Sequence, residues 1–228
     1  MTTKDLNEAI NRDIGALGGR RSAVELVRIA NRYFRYCPGP IEEMLDLIGS
    51  YLLDGFPKFA IATSWAKRRA DLIDIAHFAR VETWLFTCIT GWWECDQFCY
   101  RILNPFVYSF PELYSRVLTW TAWENPYVRR AAPVSLIAVG PPNHVDYPAD
   151  KVFDICTRLL GDEHIHVRKG VGWLLKCAYT TYPEQTVDYL ESNAGSMSRT
   201  TYRYALGRMP KQLRTRLLKD PSGRAARE

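Results

Sequence analysis

The chain has 228 residues, 47% of them hydrophobic and 24% charged, so it can bury a sizeable core and does not read as disordered. Its polar start, MTTKDLNEAI, contains no signal-peptide run, and no stretch approaches the roughly 18 apolar residues of a membrane span. A secreted or membrane-spanning protein is therefore not expected; a soluble, cytoplasmic one is.

Apolar spacing of the i, i+3, i+4, i+7 type predicts helices in chain order over AVELVRIANRYF (23–34), IEEMLDLIGSYLL (41–53), SWAKRRADLIDIAHFA (64–79) and PELYSRVLTW (111–120). Breaks are expected at CPGP (37–40), at the Asn-Pro steps 104–105 and 125–126, and in VGPPNHVDYP (139–148). No alternating run flanked by hairpin turns occurs, so the fold class is all-α. No linker rich in Gly, Ser or Pro divides the chain. One domain over 1–228 is expected, with 207–228 a basic tail open to fraying.

The segment GWWECDQFC (91–99) is the densest in chemistry. Read as a helix, it places Trp92 and Asp96 on one side as i, i+4 neighbours. A carboxylate beside an indole face suits a cationic ligand, because the ring quadrupole and the full negative charge act together. A core role for these tryptophans is the competing reading. Cys95 and Cys99 share a helix face, yet no second ligand pair completes a zinc site. All six cysteines (37, 88, 95, 99, 156, 177) sit among apolar neighbours and read as small buried groups. No metal is expected.

Two segments repeat. NPYVRRAAPVSLI (125–137) and HIHVRKGVGWLLK (164–176) superpose at an offset of 39, Val128 on Val167 and Arg130 on Lys169. A period near 40 with two helices per unit suggests a HEAT-like solenoid. SWAKRRADLIDIA would be a weaker third copy. Asn125 followed by Pro126 predicts a capped helix start. Cations near a helix N-terminus oppose its dipole, so local stability does not account for Arg129, Arg130, Arg168 and Lys169. Either stacked repeats align them along a phosphate backbone, or they pair with nearby acids such as Asp162 and Glu163. Pro133 should kink or break its helix.

The net charge of +5 is uneven: Arg199 to Glu228 carries +7, leaving −2 for the rest. Such an end fits a polyanion partner, or a solvated helix.

Taken in order, GWWECD, VRRAA and RKGVGWLLK, with MSRTTYRYAL (197–206) downstream, resemble the AlkD-type DNA alkylation-repair glycosylases, which are HEAT-like solenoids. The resemblance implies a concave basic face and the hydrolysis of the glycosidic bond of N3- or N7-alkylated purines in double-stranded DNA, by a monomer needing no cofactor. It implies that Asp96 is the catalytic carboxylate, that Trp92 and Trp173 contact the lesion nucleotide, and that Arg130 holds a phosphate. Arg129, Arg168, Lys169, Arg199 and Arg203 would extend that track. The chain departs from the family pattern at Trp93, where an acid is common, and at Ile29, where a tyrosine is expected. Anchoring on Trp93 instead of Trp92 would put Gln97 at the acid's place. The alternatives from other classes are a non-catalytic DNA-binding relative that recognises damaged or branched DNA and a HEAT-type protein–protein scaffold.

Overall fold

Side chains that accept orphan backbone N–H groups mark where the helices begin. In this computed structural model, which describes residues 2–19 and 22–220, Thr2 and Asp5 form a reciprocal capping box at α1 (Thr3–Ala16), and Ser22 with Glu25 does the same for α2 (Ala23–Tyr33). There follow α3 (Ile41–Leu53), α4 (Lys58–Ala66), α5 (Phe78–Cys88), α6 (Trp92–Phe98), a π-helical turn (Cys99–Leu103) and α7 (Asn104–Ser109). After a 3-10 turn come α8 (Tyr114–Trp120), α9 (Pro126–Ser135), α10 (Ala149–Arg158), α11 (Ile165–Thr181), α12 (Pro183–Asn193), α13 (Arg199–Ala205) and α14 (Lys211–Lys219). Among the described residues there is no strand; a single antiparallel bridge, Ala138 with His144, closes the 139–148 loop. The fold is all-α, as the spacing predicts. No helix among the described residues is long and apolar enough to cross a membrane.

The chain forms two compact units that divide between Phe106 and Val107. In the first, α4 packs on both α2 and α3, and α6 with its π-turn packs on α4. Trp93, near the start of α6, lies edge-on to Phe56 and tilted on Phe59 beside the start of α4, whereas Arg101 on the π-turn reaches Ser64 near its end. The two helices therefore run in the same direction, as successive layer helices of a repeat do. Trp65 anchors this unit: fully buried, its ring lies tilted 5.1 Å from that of Tyr51 and its indole N–H donates to the Ala30 carbonyl at 2.9 Å.

In the second unit α9, α11 and α13 pack side by side, with α10 against α9 and α11 and with α12 against α11. The offset of 39 is structural, since Pro126 opens α9 and Ile165 opens α11. Asn125 caps α9 by accepting from the Tyr127 N–H at 2.9 Å, as its pairing with Pro126 predicts. Two glycines in RKGVGWLLK permit this layer. A Cβ on Gly172 would stand 2.7 Å from the Thr201 carbonyl oxygen, and one on Gly170 would crowd Arg130 and Pro133 at 3.3–3.4 Å. At about 100° per residue they point to opposite flanks of α11, one towards α13 and one towards α9. α14 docks through buried Leu217, whose carbonyl accepts from the Tyr202 hydroxyl, and through an Arg216–Glu191 ion pair at 2.5 Å. The last eight residues of the basic tail lie outside the described residues.

Four expectations need correction. The helix predicted over 64–79 is instead the end of α4, two 3-10 turns (Ala70–Leu72 and Ile75–His77) and the start of α5. Arg69 is drawn off to Asp71 and to the Pro38 and Gly39 carbonyls, and Asp74 caps the Ala76 N–H, so local polar bonds win over the apolar spacing. The proposed third repeat falls with it. Asn104-Pro105 does not break its helix either, because the π-turn directly before it accommodates the missing N–H. Finally, α9 continues through Pro133 to Ser135; the proline sits in the last turn, where little ladder remains to disrupt.

Candidate functional site

The N-terminus of α6 positions the candidate residues of the first unit. Gly91 is its extended N-cap, and Glu94, at the third helical position, folds back so closely that a Gly91 Cβ would stand 2.5 Å from its carboxylate oxygen. This helix start places Trp92 in the open, 48% exposed, and Asp96 one turn on at 9%. Trp93 is instead half-buried on Phe56 and Phe59, the packing role that the Trp92–Asp96 pairing leaves it. Cys95 and Cys99 are buried behind, with sulfurs 4.0 Å apart, and Cys88 is buried too. They act as core, as the apolar surroundings suggest.

The second unit holds the other residues singled out from sequence. Arg129 is not a free surface cation: its Nε donates to the Asp162 carboxylate at 2.6 Å and its Nη1 to the carbonyls of Trp123 and Glu124 at 2.8 Å. Arg168 donates to the Asp162 main-chain carbonyl at 2.7 Å. Arg130 is only 4% exposed and donates to the His166 carbonyl at 2.5 Å. Arg129 and Arg130 hold the start of α9 against the start of α11, and Arg168 ties α11 to the loop that leads into it. Stability therefore does account for Arg129, contrary to the dipole expectation, because the Asp162 carboxylate supplies the compensating charge, and Arg168 is held by the main-chain carbonyl of the same residue. Asp162 also accepts the His164 N–H at 2.8 Å ahead of α11. Lys169, Arg199 and Arg203 are exposed. Arg199 and Arg203, one turn apart on α13, border a cavity of about 150 Å³ floored by Met197, Tyr202 and Leu218.

Trp173 is half-buried on α11 with company that sequence reading missed. The Lys176 ammonium lies 5.9 Å from its ring and 4.9 Å from that of Tyr204. Burial, and beyond it the nearby Arg208 charge, draws the Lys176 ammonium below the ordinary lysine value. Among the described residues Arg208 bonds neutral acceptors, the Asn143 carbonyl and the Thr180 hydroxyl. Lys176 closes RKGVGWLLK three residues after Trp173, so helical spacing was the available signal; Arg208 carried none, because a 3-10 turn brings it in. Ile29, where the family pattern has a tyrosine, is buried in the first unit.

Trp92 and Asp96 thus belong to the first unit, and Arg130 and Trp173 to the second, each brought to its place by a layer helix. Comparison with known proteins agrees with this architecture. A solved structure of a protein described as a predicted DNA alkylation repair enzyme, from Enterococcus faecalis, superposes with a TM-score of 0.71 over 83% of this chain and 87% of that one, at 14% identity. That likeness establishes the fold. No curated protein matches the chain. The family model for DNA alkylation repair enzymes matches residues 22–209. That span is most of the sequence, and the chain belongs to the DNA alkylation repair enzyme family.

Proposed function

We propose that this protein is a DNA glycosylase that releases cationic N3- or N7-alkylated purines from duplex DNA. The observation that supports it most is the placement of Asp96 on α6, a carboxylate one turn from an exposed indole. An alkylated purine carries a formal positive charge and is already a good leaving group. Catalysis then reduces to stabilising the deoxyribose oxocarbenium as the C1′–N bond breaks and to placing a water on C1′. A fixed carboxylate does both. No metal or cofactor enters this scheme.

Trp92, 48% exposed, is assigned to cation–π contact with the lesion. Trp173 has Lys176 beside its ring, so its share is contact with the sugar rather than with a second cation. Lys169, Arg199, Arg203, Lys176 and Arg208 are assigned to backbone phosphates. Arg130, oriented by its bond to the His166 carbonyl, is assigned to a phosphate next to the lesion, where a guanidinium fork matches the oxygens. Arg129 and Arg168 hold α9 and α11 in place for it. Incubation with duplex containing 7-methylguanine tests the reading: free 7-methylguanine is expected, and its absence contradicts it. A non-catalytic DNA-binding role is the second reading, supported by the exposed cations of α11 and α13; it predicts salt-dependent binding without base release.

A further inference from the structure

The basic residues assigned so far all lie in the second unit. The first unit carries cations of its own, and several are neutralised: Arg32 pairs with Asp13, Lys58 with Asp54, Arg69 with Asp71, and Arg80 with Asp46 and Glu42. Arg101 and Arg68 differ. Arg101 is half-buried on the π-turn, five residues beyond Asp96, and its hydrogen-bond partner among the described residues is the Ser64 hydroxyl on α4. That hydroxyl already donates to the Ala60 carbonyl at 2.6 Å, so it has its lone pairs to give Arg101 and no charge. Four residues on, in the turn just past the end of α4, Arg68 is exposed; it donates to the Asn31 side-chain oxygen at 2.7 Å and lies 4.2 Å above the Phe34 ring, again with no carboxylate partner among the described residues.

Withdrawing a guanidinium from water without a counter-charge is costly, and burial alone pulls the Arg101 value below that of a free arginine. An anion arriving at this place recovers the loss. Ser64 and Asn31 fix the two planar groups on one side and leave other N–H donors for a ligand, and a guanidinium fork matches phosphate oxygens. Arg101, Ser64, Arg68 and Asn31 together form a row that crosses from the π-turn over α4 to α2. At helix spacings of about 8–10 Å such a row spans roughly 16–20 Å. At about 3.4 Å per nucleotide of one strand that is on the order of five phosphates.

We propose that Arg101 and Arg68 contact backbone phosphates of duplex DNA, so that the first unit holds the strand as well as supplying Asp96. This rests on the DNA-repair reading above. The test is fluorescence anisotropy of the full-length protein with an unmodified 20-base-pair duplex from 50 to 300 mM KCl, comparing wild type with Arg101→Gln, Arg68→Gln, the double variant and Arg80→Gln. Removing one phosphate-binding cation should lower the slope of log affinity against log salt by about 0.9, so the double variant should fall by about 1.8. Arg80→Gln, which removes an ion-paired cation, should leave the slope unchanged. Should Arg101→Gln fail to fold, the exposed Arg68→Gln decides alone, with an expected fall of about 0.9. A double variant with the wild-type slope overturns this proposal and leaves DNA binding standing. A wild type that shows no salt-dependent binding overturns both.

Discussion

Gly172 on α11 and Thr201 on α13 approach so closely that a methyl group on the glycine would sit 2.7 Å from the threonine carbonyl oxygen and as close to the Tyr204 Cβ. Backbone cannot yield to such an intrusion cheaply. Gly172→Ala should therefore destabilise the protein by about 1–3 kcal/mol, read as a fall of several degrees in Tm. Gly170→Ala should cost less, because its nearest atoms belong to the Arg130 and Pro133 side chains at 3.3–3.4 Å. Equal melting temperatures for wild type and Gly172→Ala would show that α11 and α13 do not pack this closely.

The two adjacent tryptophans should respond in opposite ways. Trp93 is packed on two phenylalanines, so Trp93→Ala should cost about 3 kcal/mol or more. Trp92 is 48% exposed, so Trp92→Ala should melt close to wild type while weakening capture of the damaged nucleotide. Gln97→Ala, at the acid's place in the alternative alignment, should leave base release unchanged. A large fall in activity in Gln97→Ala together with a silent Trp92→Ala would move the site by one residue.

Stability should fall at alkaline pH through identifiable thiols and phenols. Burial pushes the Cys37 thiol up to about 12, the Tyr202 hydroxyl up to about 12, and the enclosed Cys156 thiol further still. In the unfolded chain a thiol ionises near pH 9, so above that pH the folded state retains protons that the unfolded state has lost, and each rise in pH favours unfolding. For Cys156 alone the slope approaches ~1.4 kcal/mol per pH unit. Urea midpoints at pH 8.5 and 10.5 should show a drop that Cys156→Ala reduces. An identical pH dependence in that variant would rule out Cys156 as a contributor.

What could be read beforehand follows the physics of each element. α3 showed its bounds because one face is buried and the other wet, which leaves a period in the sequence. α4 left none: Phe59 to Ala66 are all buried, so no polar stripe marks its phase, and its end merged with the following connector into a false helix. Asn125 and Pro126 announced α9 because a cap is made between residues two apart in the chain. The partners of Arg129 were legible only as an alternative, since the Asp162 that neutralises it comes from 33 residues away. Lys176 and Arg208 meet only after α11 and the turn following α13 have packed, and no local pattern records that meeting.

The central claim concerns one carboxylate. Single-turnover release of 7-methylguanine from duplex DNA, with enzyme in excess, should proceed in the wild type and slow by at least about 100-fold in Asp96→Asn, a near-isosteric change that removes the charge opposite the oxocarbenium. The variant should bind the same duplex with a salt slope like that of wild type. Base release by Asp96→Asn at the wild-type rate, in a folded and DNA-binding protein, would contradict the assignment.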